Sequence, residues 1–176
     1  HLLPASTAKL LTALVALEKC SFDESVIIGF VDSQPSSMGL SSGDTVTVQT
    51  LLYGLLVASG NDAAIALSYA CSTSTEDFVD EMNLKAKELA MNDSHFTNPA
   101  GFDAPNQYST ARDLAKLARV AVANPQIAKI VATKSIVLTD VADTKTYYLE
   151  NINKLLGKVE GIQGIKTGQT EGSLEV

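Results

Sequence analysis

A serine and a lysine stand three positions apart near the start of the sequence, as Ser6-x-x-Lys9 within HLLPASTAKLLTAL. Pro4 suits the first turn of a helix, and the apolar residues that follow recur at helical spacing. Three residues make nearly one helical turn, so we expect the Ser6 hydroxyl and the Lys9 amine on the same side of this helix. A nucleophile and its general base could use that geometry, although any solvated helix face produces it by chance.

Two further short motifs also carry hydroxyl, amide or amine side chains. The stretch 59–61 is Ser-Gly-Asn and lies between two predicted helices, where glycine and asparagine also serve simply to end a helix. The stretch 166–168 is Lys-Thr-Gly and could by itself be the polar end of a strand. Each motif is weak alone, but the three in this order have a chance probability on the order of one in a thousand. Together they favour a serine-nucleophile active site.

The elements around these motifs form a mixed pattern. Alternating and β-branched residues predict strands at 25–30, 44–48, 134–138 and 145–150, with a strand-like end to 161–170. Helical periodicity predicts helices at 48–58, 62–70, 73–91, 109–123 and from Pro125, the third with a Thr73-x-x-Glu76 capping box. A long irregular loop covers 95–108. Helices should dominate residues 49–131 and surround the helix that follows Ser6, which predicts an α/β or α+β fold.

Composition narrows the classes of protein that fit. The 176 residues are 45% hydrophobic and 19% charged, which is typical of one globular domain. A net charge of −7 gives nucleic-acid binding no electrostatic support. Cys20 and Cys71 are too few for a disulfide framework and have no metal-binding spacing. We expect these two cysteines to be buried thiols. A single disulfide between them is the alternative that the sequence leaves open.

At the three motifs the sequence resembles the penicillin-binding serine DD-peptidases, specifically the low-molecular-mass D-alanyl-D-alanine carboxypeptidases of the peptidase S11 family. The likeness also includes the segments SSMGLSSGDTVTVQTLLYGLLVASGNDAAIAL, FVDEMNLKAKEL, HFTNPAGFD, YSTARDLAKLA and GIKTGQT, and so covers nearly the whole chain. It implies a β-lactamase/DD-peptidase-like fold, with a helical cluster packed on an antiparallel sheet. Because the family carries strands before the first motif and after the third, residues 1–176 are expected to be a partial catalytic domain. Its sheet would be incomplete, and the family's C-terminal domain and membrane anchor would be absent.

The resemblance also implies a reaction, the removal of the terminal D-alanine from peptidoglycan stem peptides through an acyl-enzyme. Ser6 would be the nucleophile, Lys9 its general base, and Ser59 a proton relay to the departing D-alanine. For Lys9 to be a base its pKa must be depressed, which burial and the positive charge of Lys166 would both achieve. The expected partners are a peptide ending in D-Ala-D-Ala and β-lactam antibiotics, with no nucleic acid, no metal and no cofactor. The expected location is extracytoplasmic, in the periplasm or at the cell-wall face of a bacterial membrane.

The resemblance assigns the remaining site residues to substrate binding. Asn61 would hold the substrate's peptide amide and the Lys9 amine, and Gly168 would let the substrate lie against its strand. Lys166 and Thr167 would bind the substrate's terminal carboxylate. The oxyanion hole would be formed by the backbone N–H groups of Ser6 and Gln169.

Three alternatives remain open at this stage. A class A-like β-lactamase shares the first and third motifs but needs a glutamate in an E-x-x-L-N loop, and no glutamate between Asn61 and Lys166 stands in that motif. A DD-endopeptidase acting on peptidoglycan crosslinks shares all three motifs. An inactive fragment that binds β-lactam or cell-wall peptide is the third. Outside the motifs, we expect a structural hydrogen bond at His95 and a local ion pair between Arg112 and Asp113.

Overall fold

The structure is a computed structural model that describes residues 2–29 and 35–175, with the side chains of 174 and 175 excepted. A 3-10 turn at Ala5–Ala8, here called the Ser6 turn, leads directly into the first helix. The helices are α1 Lys9–Lys19, α2 Val48–Leu56, α3 Asn61–Ala70, α4 Thr75–Glu88, α5 Ala111–Ala123 and α6 Pro125–Val131. The strands are β1 Ser25–Ile27, β2 Thr45–Thr47, β3 Ser135–Thr139, β4 Thr146–Glu150, β5 Gln169–Thr170 and β6 Leu174–Glu175. The predicted mixture of helices and strands is confirmed.

Helix α1 is the central element of the core. Every residue from position 9 to position 16 is buried, so this part of the helix has no solvent face. It packs against α2, α3, α4 and α5, and Leu11, Leu14 and Val15 are at most 5% exposed. A helix that is apolar on most sides is expected to be enclosed in this way. The prediction that the helix after Ser6 is a buried central element is therefore confirmed.

The strands pair locally rather than in one sheet. In the described part of the chain, three separate two-stranded antiparallel sheets form, β1 with β2, β3 with β4, and β5 with β6. In the β3–β4 hairpin Ile136 faces Leu149 and Val137 faces Tyr148. Tyr147 and Leu149 are buried while Tyr148 is 80% exposed, as the two-residue period of a strand requires. One face of this hairpin thus belongs to the core.

Four of the helices begin at side-chain caps, and one cap differs from the prediction. Thr47 accepts a hydrogen bond from Thr50 N at the start of α2, and Thr110 accepts one from Asp113 N at the start of α5. At the start of α6, Asn124 accepts from Gln126 N and Ile127 N. The box predicted at Thr73 is displaced by one residue, because Ser74 is the residue that accepts from Asp77 N. The Thr73 hydroxyl instead donates to the Asp77 carboxylate, so it supports the cap without being the cap.

Two expectations about side-chain pairing are wrong. Cys20 and Cys71 form a disulfide with their Cα atoms 5.4 Å apart, rather than two buried thiols. The bridge became available because α1 and α3 pack together and end side by side, which spacing along the chain does not reveal. Asp113 pairs with Lys116 at 2.7 Å rather than with Arg112, since successive helical residues point in different directions.

Asp113 and His95 both act as structural groups. The Asp113 carboxylate also accepts from Asp93 N and from Ser94 Oγ, each at 2.9 Å, and so fastens the chain before the 95–108 loop. His95 Nδ1 lies 2.8 Å from the carbonyl oxygen of Asn106, which confirms the hydrogen bond expected for this histidine. Among the described residues, no helix combines the length and the apolar character needed to span a bilayer.

Candidate active site

Lys9 stands at the centre of the candidate site. Its side chain is fully buried, and Nζ lies 2.9 Å from Ser6 Oγ, 2.7 Å from Asn61 Oδ1 and 2.6 Å from the Ala100 carbonyl oxygen. The contact with Ser6 is the one that the three-residue spacing predicts. The contact with Asn61 brings the first and second motifs together across 52 positions of the chain.

The three neighbours of Lys9 differ in what they can do. The Ala100 carbonyl oxygen and Asn61 Oδ1 can only accept hydrogen bonds, whereas the Ser6 hydroxyl can also donate one. A neutral amine has two N–H groups and one lone pair. If the two N–H groups serve the two obligatory acceptors, the lone pair faces the Ser6 hydroxyl. This arrangement suits the removal of a proton from Ser6 by Lys9.

Burial allows the Lys9 amine to be neutral near neutral pH. The pKa of Lys9 falls from 10.5 to about 7, mainly because burial disfavours the charged form and secondly because Lys166 is positively charged. The negative charge of Asp62 acts in the opposite direction. Both lowering causes are those predicted from the sequence.

Lys166 is a second buried lysine in the same neighbourhood. It is 7% exposed, and burial lowers its pKa to about 7. Its Nζ donates to the carbonyl oxygen of its neighbour Thr167 at 2.8 Å, and the Thr167 side chain is half-buried. An anion that reached this ammonium would favour its charged form and bind in a poorly solvated place, where charge-assisted hydrogen bonds are strong.

Ser59 and Asn61 share one tight turn between α2 and α3. Gly60 N donates to the Gly54 carbonyl oxygen at 2.9 Å, and Asn61 N donates to the Ser36 carbonyl oxygen at 2.7 Å. Ser59 is 3% exposed and has φ of +59°, a backbone region that residues other than glycine seldom adopt. The turn thus holds Ser59 buried, two residues before the asparagine that contacts Lys9.

The carboxylate of Asp62 fixes the loop that covers this turn. It accepts hydrogen bonds from the backbone N–H groups of Met38, Gly39 and Leu40 and from Ser37 Oγ, at 2.5 to 3.1 Å. A buried carboxylate needs donors on its oxygens, and these hydrogen bonds supply them while they hold the loop in place.

The third motif meets the Ser6 turn at Gly168. A Cβ atom on Gly168 would lie 3.2 Å from Thr7 Cγ2, 3.2 Å from Ala5 Cβ and 3.3 Å from Ser6 N. Contacts of that length are tighter than most in proteins, so the missing side chain lets this segment approach the Ser6 turn. Strand β5, which begins at the exposed Gln169, contacts the same turn.

The 95–108 loop supplies contacts that sequence reasoning missed. Besides the Ala100 carbonyl at Lys9, Gly101 packs directly on the peptide that precedes Ser6. A Cβ on Gly101 would overlap the Ala5 carbonyl group, and Gly101 has φ of +87°. Ala5 itself has φ of +48°. A backbone carbonyl has no signature in a sequence, although an isolated glycine after Asn-Pro-Ala is a signal of close backbone approach.

The described residues contain no group of side chains suited to binding a metal ion. Across residues 2–29 and 35–175, no group of three or more His, Cys, Asp or Glu side chains could hold a metal ion. Hydrogen bonds join three of the predicted site residues, Ser6, Lys9 and Asn61. Gly168 and strand β5, which begins at Gln169, pack on the Ser6 turn.

Known proteins resemble this chain in sequence along almost its whole length. The sequence matches the peptidase S11 family, D-alanyl-D-alanine carboxypeptidase, over residues 1–175. It is 36% identical to the D-alanyl-D-alanine carboxypeptidase DacF of Bacillus subtilis, over 97% of this chain and 45% of that protein. It is 37% identical to DacB2 of Mycobacterium tuberculosis, over 97% of this chain and 59% of that protein.

Solved structures share the fold. A D-alanyl-D-alanine carboxypeptidase from Mycobacterium tuberculosis superposes with a TM-score of 0.92 and 35% identity, covering 99% of this chain and 66% of that one. The Streptomyces K15 DD-transpeptidase superposes with a TM-score of 0.89 and 34% identity, covering 97% of this chain and 72% of that one.

The fold is therefore that of the DD-peptidases, the β-lactamase-like class expected from the sequence. The chain belongs to the peptidase S11 family of D-alanyl-D-alanine carboxypeptidases. It spans about half the length of the curated relatives that it matches.

Proposed function

We propose that this chain is the part of a serine DD-carboxypeptidase catalytic domain that carries its three motifs. The protein would remove the terminal D-alanine from peptidoglycan stem peptides and would be acylated by penicillin at the same serine. The observation that carries the proposal is the position of Lys9, whose Nζ lies 2.9 Å from Ser6 Oγ and 2.7 Å from Asn61 Oδ1. Membership of the S11 family supports it.

Acylation follows from the chemistry of these groups. Neutral Lys9 takes the Ser6 hydroxyl proton as Oγ attacks the carbonyl carbon of the penultimate D-alanine. The C–N bond to the terminal D-alanine then breaks. Ser59 relays to the departing amine the proton that Lys9 took from Ser6, so that Lys9 is neutral again. The products are a Ser6 ester and free D-alanine. Water hydrolyses the ester in a second step and restores the Ser6 hydroxyl.

Substrate recognition depends on the terminal carboxylate. Lys166 and Thr167 would hold it by charge and by a hydroxyl, so a substrate with a free C-terminus is selected. Asn61 would hold the peptide amide. The backbone N–H groups of Ser6 and Gln169 would stabilise the negative charge on the reacting oxygen. Contact of β5 with the Ser6 turn supports this pairing of donors.

An endopeptidase would need to accept a longer chain beyond the scissile bond. One relative bears the name D-alanyl-D-alanine endopeptidase, from Escherichia coli, at 32% identity over 96% of this chain. The carboxypeptidase remains the proposed function, because more of the relatives carry that name. Release of free D-alanine from a stem pentapeptide, without cleavage of crosslinked dimers, would separate the two activities.

The disulfide supports an extracytoplasmic location. Bridges such as Cys20–Cys71 persist in oxidising compartments, while cytosolic thiols are kept reduced. Peptidoglycan stem peptides are found outside the cytoplasm as well. We therefore place the protein in the periplasm or at the cell-wall face of a bacterial membrane.

Labelling with a fluorescent penicillin tests the proposal in the full-length protein. The label should be found on the peptide that contains Ser6 and should persist for minutes or longer, because no E-x-x-L-N glutamate activates the deacylating water. Ser6→Ala should abolish labelling. Lys9→Arg should slow it roughly 100-fold or more, since a guanidinium cannot act as a base.

Other outcomes would reject specific parts of the proposal. Label on a peptide without Ser6 would reject the nucleophile. Rapid release of the label with turnover of penicillin would indicate a β-lactamase. Labelling of Ser6 without release of D-alanine from a pentapeptide would indicate a protein that only binds.

A further inference from the structure

The 95–108 loop connects several parts of the candidate site. Its Ala100 carbonyl oxygen accepts from Lys9 Nζ at 2.6 Å, and its Gly101 packs on the Ala5–Ser6 peptide. Its Asp103 carboxylate accepts from Gly172 N at 3.0 Å, within the turn that joins β5 to β6. The loop therefore touches the base, the Ser6 turn and the segment after the third motif, although the three motifs include none of its residues.

Asn98 holds the shape of this loop from inside. Its Oδ1 accepts from Gly101 N at 2.8 Å and from Phe102 N at 2.9 Å. Its Nδ2 donates to the Phe102 carbonyl oxygen at 3.1 Å and to Gln107 Oε1 at 3.3 Å. Asn98 thus encloses Pro99, Ala100 and Gly101 in one hydrogen-bonded turn.

Gln107 fastens the other side of the same turn. Its side chain is 3% exposed, its Oε1 accepts from Thr97 N at 2.9 Å, and its Nε2 donates to the Phe102 carbonyl oxygen. Thr12 of α1 donates to the Pro99 carbonyl oxygen at 2.6 Å, one turn beyond Lys9 on the same helix. The direction of the Ala100 carbonyl is therefore determined at both of its neighbours.

We propose that Asn98 is a positioning residue for acylation, which fixes the Ala100 carbonyl so that the Lys9 lone pair faces Ser6. This inference rests on the proposed function. It assigns to Asn98 no contact with substrate or with the reacting atoms. It acts through the carbonyl of Ala100 and through the packing of Gly101 on the peptide before Ser6.

The orientation of the amine makes this role necessary. Neutral Lys9 has two N–H groups for three neighbours, so each fixed acceptor removes one direction in which the lone pair could point. If the Ala100 carbonyl turned away, an N–H group could point at Ser6 Oγ instead, and the amine could no longer take the hydroxyl proton. Misplacement of a catalytic group by about 1 Å can cost 100-fold in rate.

Asn98→Ala tests the proposal in the full-length protein, with Asn124→Ala as the matched control. Asn124 Oδ1 also accepts two backbone N–H groups, those of Gln126 and Ile127, but at the start of α6. For each variant, stopped-flow labelling with a fluorescent penicillin gives the dissociation constant of the initial complex and the acylation rate constant separately. Thermal unfolding of the same samples gives the loss of stability.

The expected result is a selective loss of acylation. Asn98→Ala should lower the acylation rate constant roughly tenfold to 100-fold while the dissociation constant changes less than about threefold. Asn124→Ala should lose a similar amount of thermal stability and keep its acylation rate constant. Asn98→Ser, which keeps a hydroxyl able to accept from one backbone N–H, should fall between wild type and Asn98→Ala.

Three results would overturn the proposal. The first is an unchanged acylation rate constant in Asn98→Ala. The second is loss of the fold in both Asn98 variants, and the third is a loss of acylation no greater than in Asn124→Ala at equal stability, because in either case Asn98 would be only structural. The proposed function fails separately, if the wild-type protein is not labelled at Ser6.

Discussion

The Lys9 side chain reaches Asn61 Oδ1 across 2.7 Å and so joins the N-terminal ends of α1 and α3. Within residues 2–29 and 35–175, Lys9 Nζ has hydrogen bonds with Asn61 Oδ1, Ser6 Oγ and the Ala100 carbonyl oxygen and with no carboxylate. A buried amine in such surroundings loses its proton readily. The pH dependence of both catalysis and stability should therefore report on Lys9.

Lys166→Met should move the pH dependence of acylation upwards. The positive charge of Lys166 is one of the two causes that lower the pKa of Lys9 to about 7, so its removal raises that pKa. The acid limb of the acylation rate constant, measured at saturating penicillin between about pH 5 and pH 9, should shift to higher pH. Lys129→Met, which removes an exposed charge, is the control. If the acid limb of the acylation rate constant in Lys166→Met lay at the wild-type pH or lower, the charge coupling between the two lysines would be contradicted.

Lys9 should also make the stability of the fold depend on pH. Its pKa is about 7 in the folded chain and 10.5 as a reference, so between these values the unfolded chain binds more protons. The free energy of unfolding then rises with pH in this window. As the pH rises from about 7 to 10.5, the free energy of unfolding of the wild type should increase relative to that of Lys9→Met. The increase should be on the order of a few kcal/mol, because one pKa unit corresponds to about 1.4 kcal/mol.

Urea unfolding at a series of pH values measures that difference. Because Lys9→Met also loses three hydrogen bonds, only the change of the difference with pH is diagnostic, and not its value at one pH. A difference that stays constant from neutral to alkaline pH would mean that Lys9 keeps an ordinary pKa.

Gly101→Ala should damage the Ser6 turn. The added Cβ would overlap the Ala5 carbonyl group, and the backbone at Gly101 has φ of +87°. Gly161→Ala is the matched control, because Gly161 has φ of +84° but no heavy atom within 4 Å of the added Cβ. The control should lose about 1 kcal/mol of stability from backbone strain alone. Gly101→Ala should lose clearly more, together with penicillin labelling, and equal effects in thermal unfolding would refute the close approach.

Reduction of the disulfide should lower the stability of the chain. The bridge closes a loop of 51 positions, for which loss of the cross-link costs about 4 kcal/mol. The melting temperature should therefore fall when a reductant is added. The double variant Cys20→Ala/Cys71→Ala should already melt at the lower temperature and should not respond to reductant. If the melting temperature of the wild type did not change on addition of reductant, the two cysteines would not be paired in solution.

Local signals in the sequence predicted the elements well. The threonine caps at Thr47 and Thr110 act on their own first turns, so short-range chemistry suffices to place those helix starts. The contact between Ser6 and Lys9 is similarly local, since both lie within one turn. The family resemblance added the expectation that motifs far apart in the chain would meet.

Contacts between elements that are far apart in the chain were harder to predict from the sequence. The Cys20–Cys71 bridge depends on how α1 and α3 pack against each other. The Ala100 carbonyl is backbone, so no residue type at that position marks its contact with Lys9. These features depend on three-dimensional packing that spacing along the chain does not encode.

The disulfide and the Lys9–Asn61 contact lie at opposite ends of the same two helices. Cys20 follows the last residue of α1 and Cys71 the last residue of α3, while Lys9 and Asn61 begin them. A protease that cuts the backbone once between Cys20 and Cys71 would therefore not release either helix. The nicked protein would migrate as one species on a non-reducing gel and as two after reduction, so proteolytic damage in this region would escape detection unless the sample is reduced.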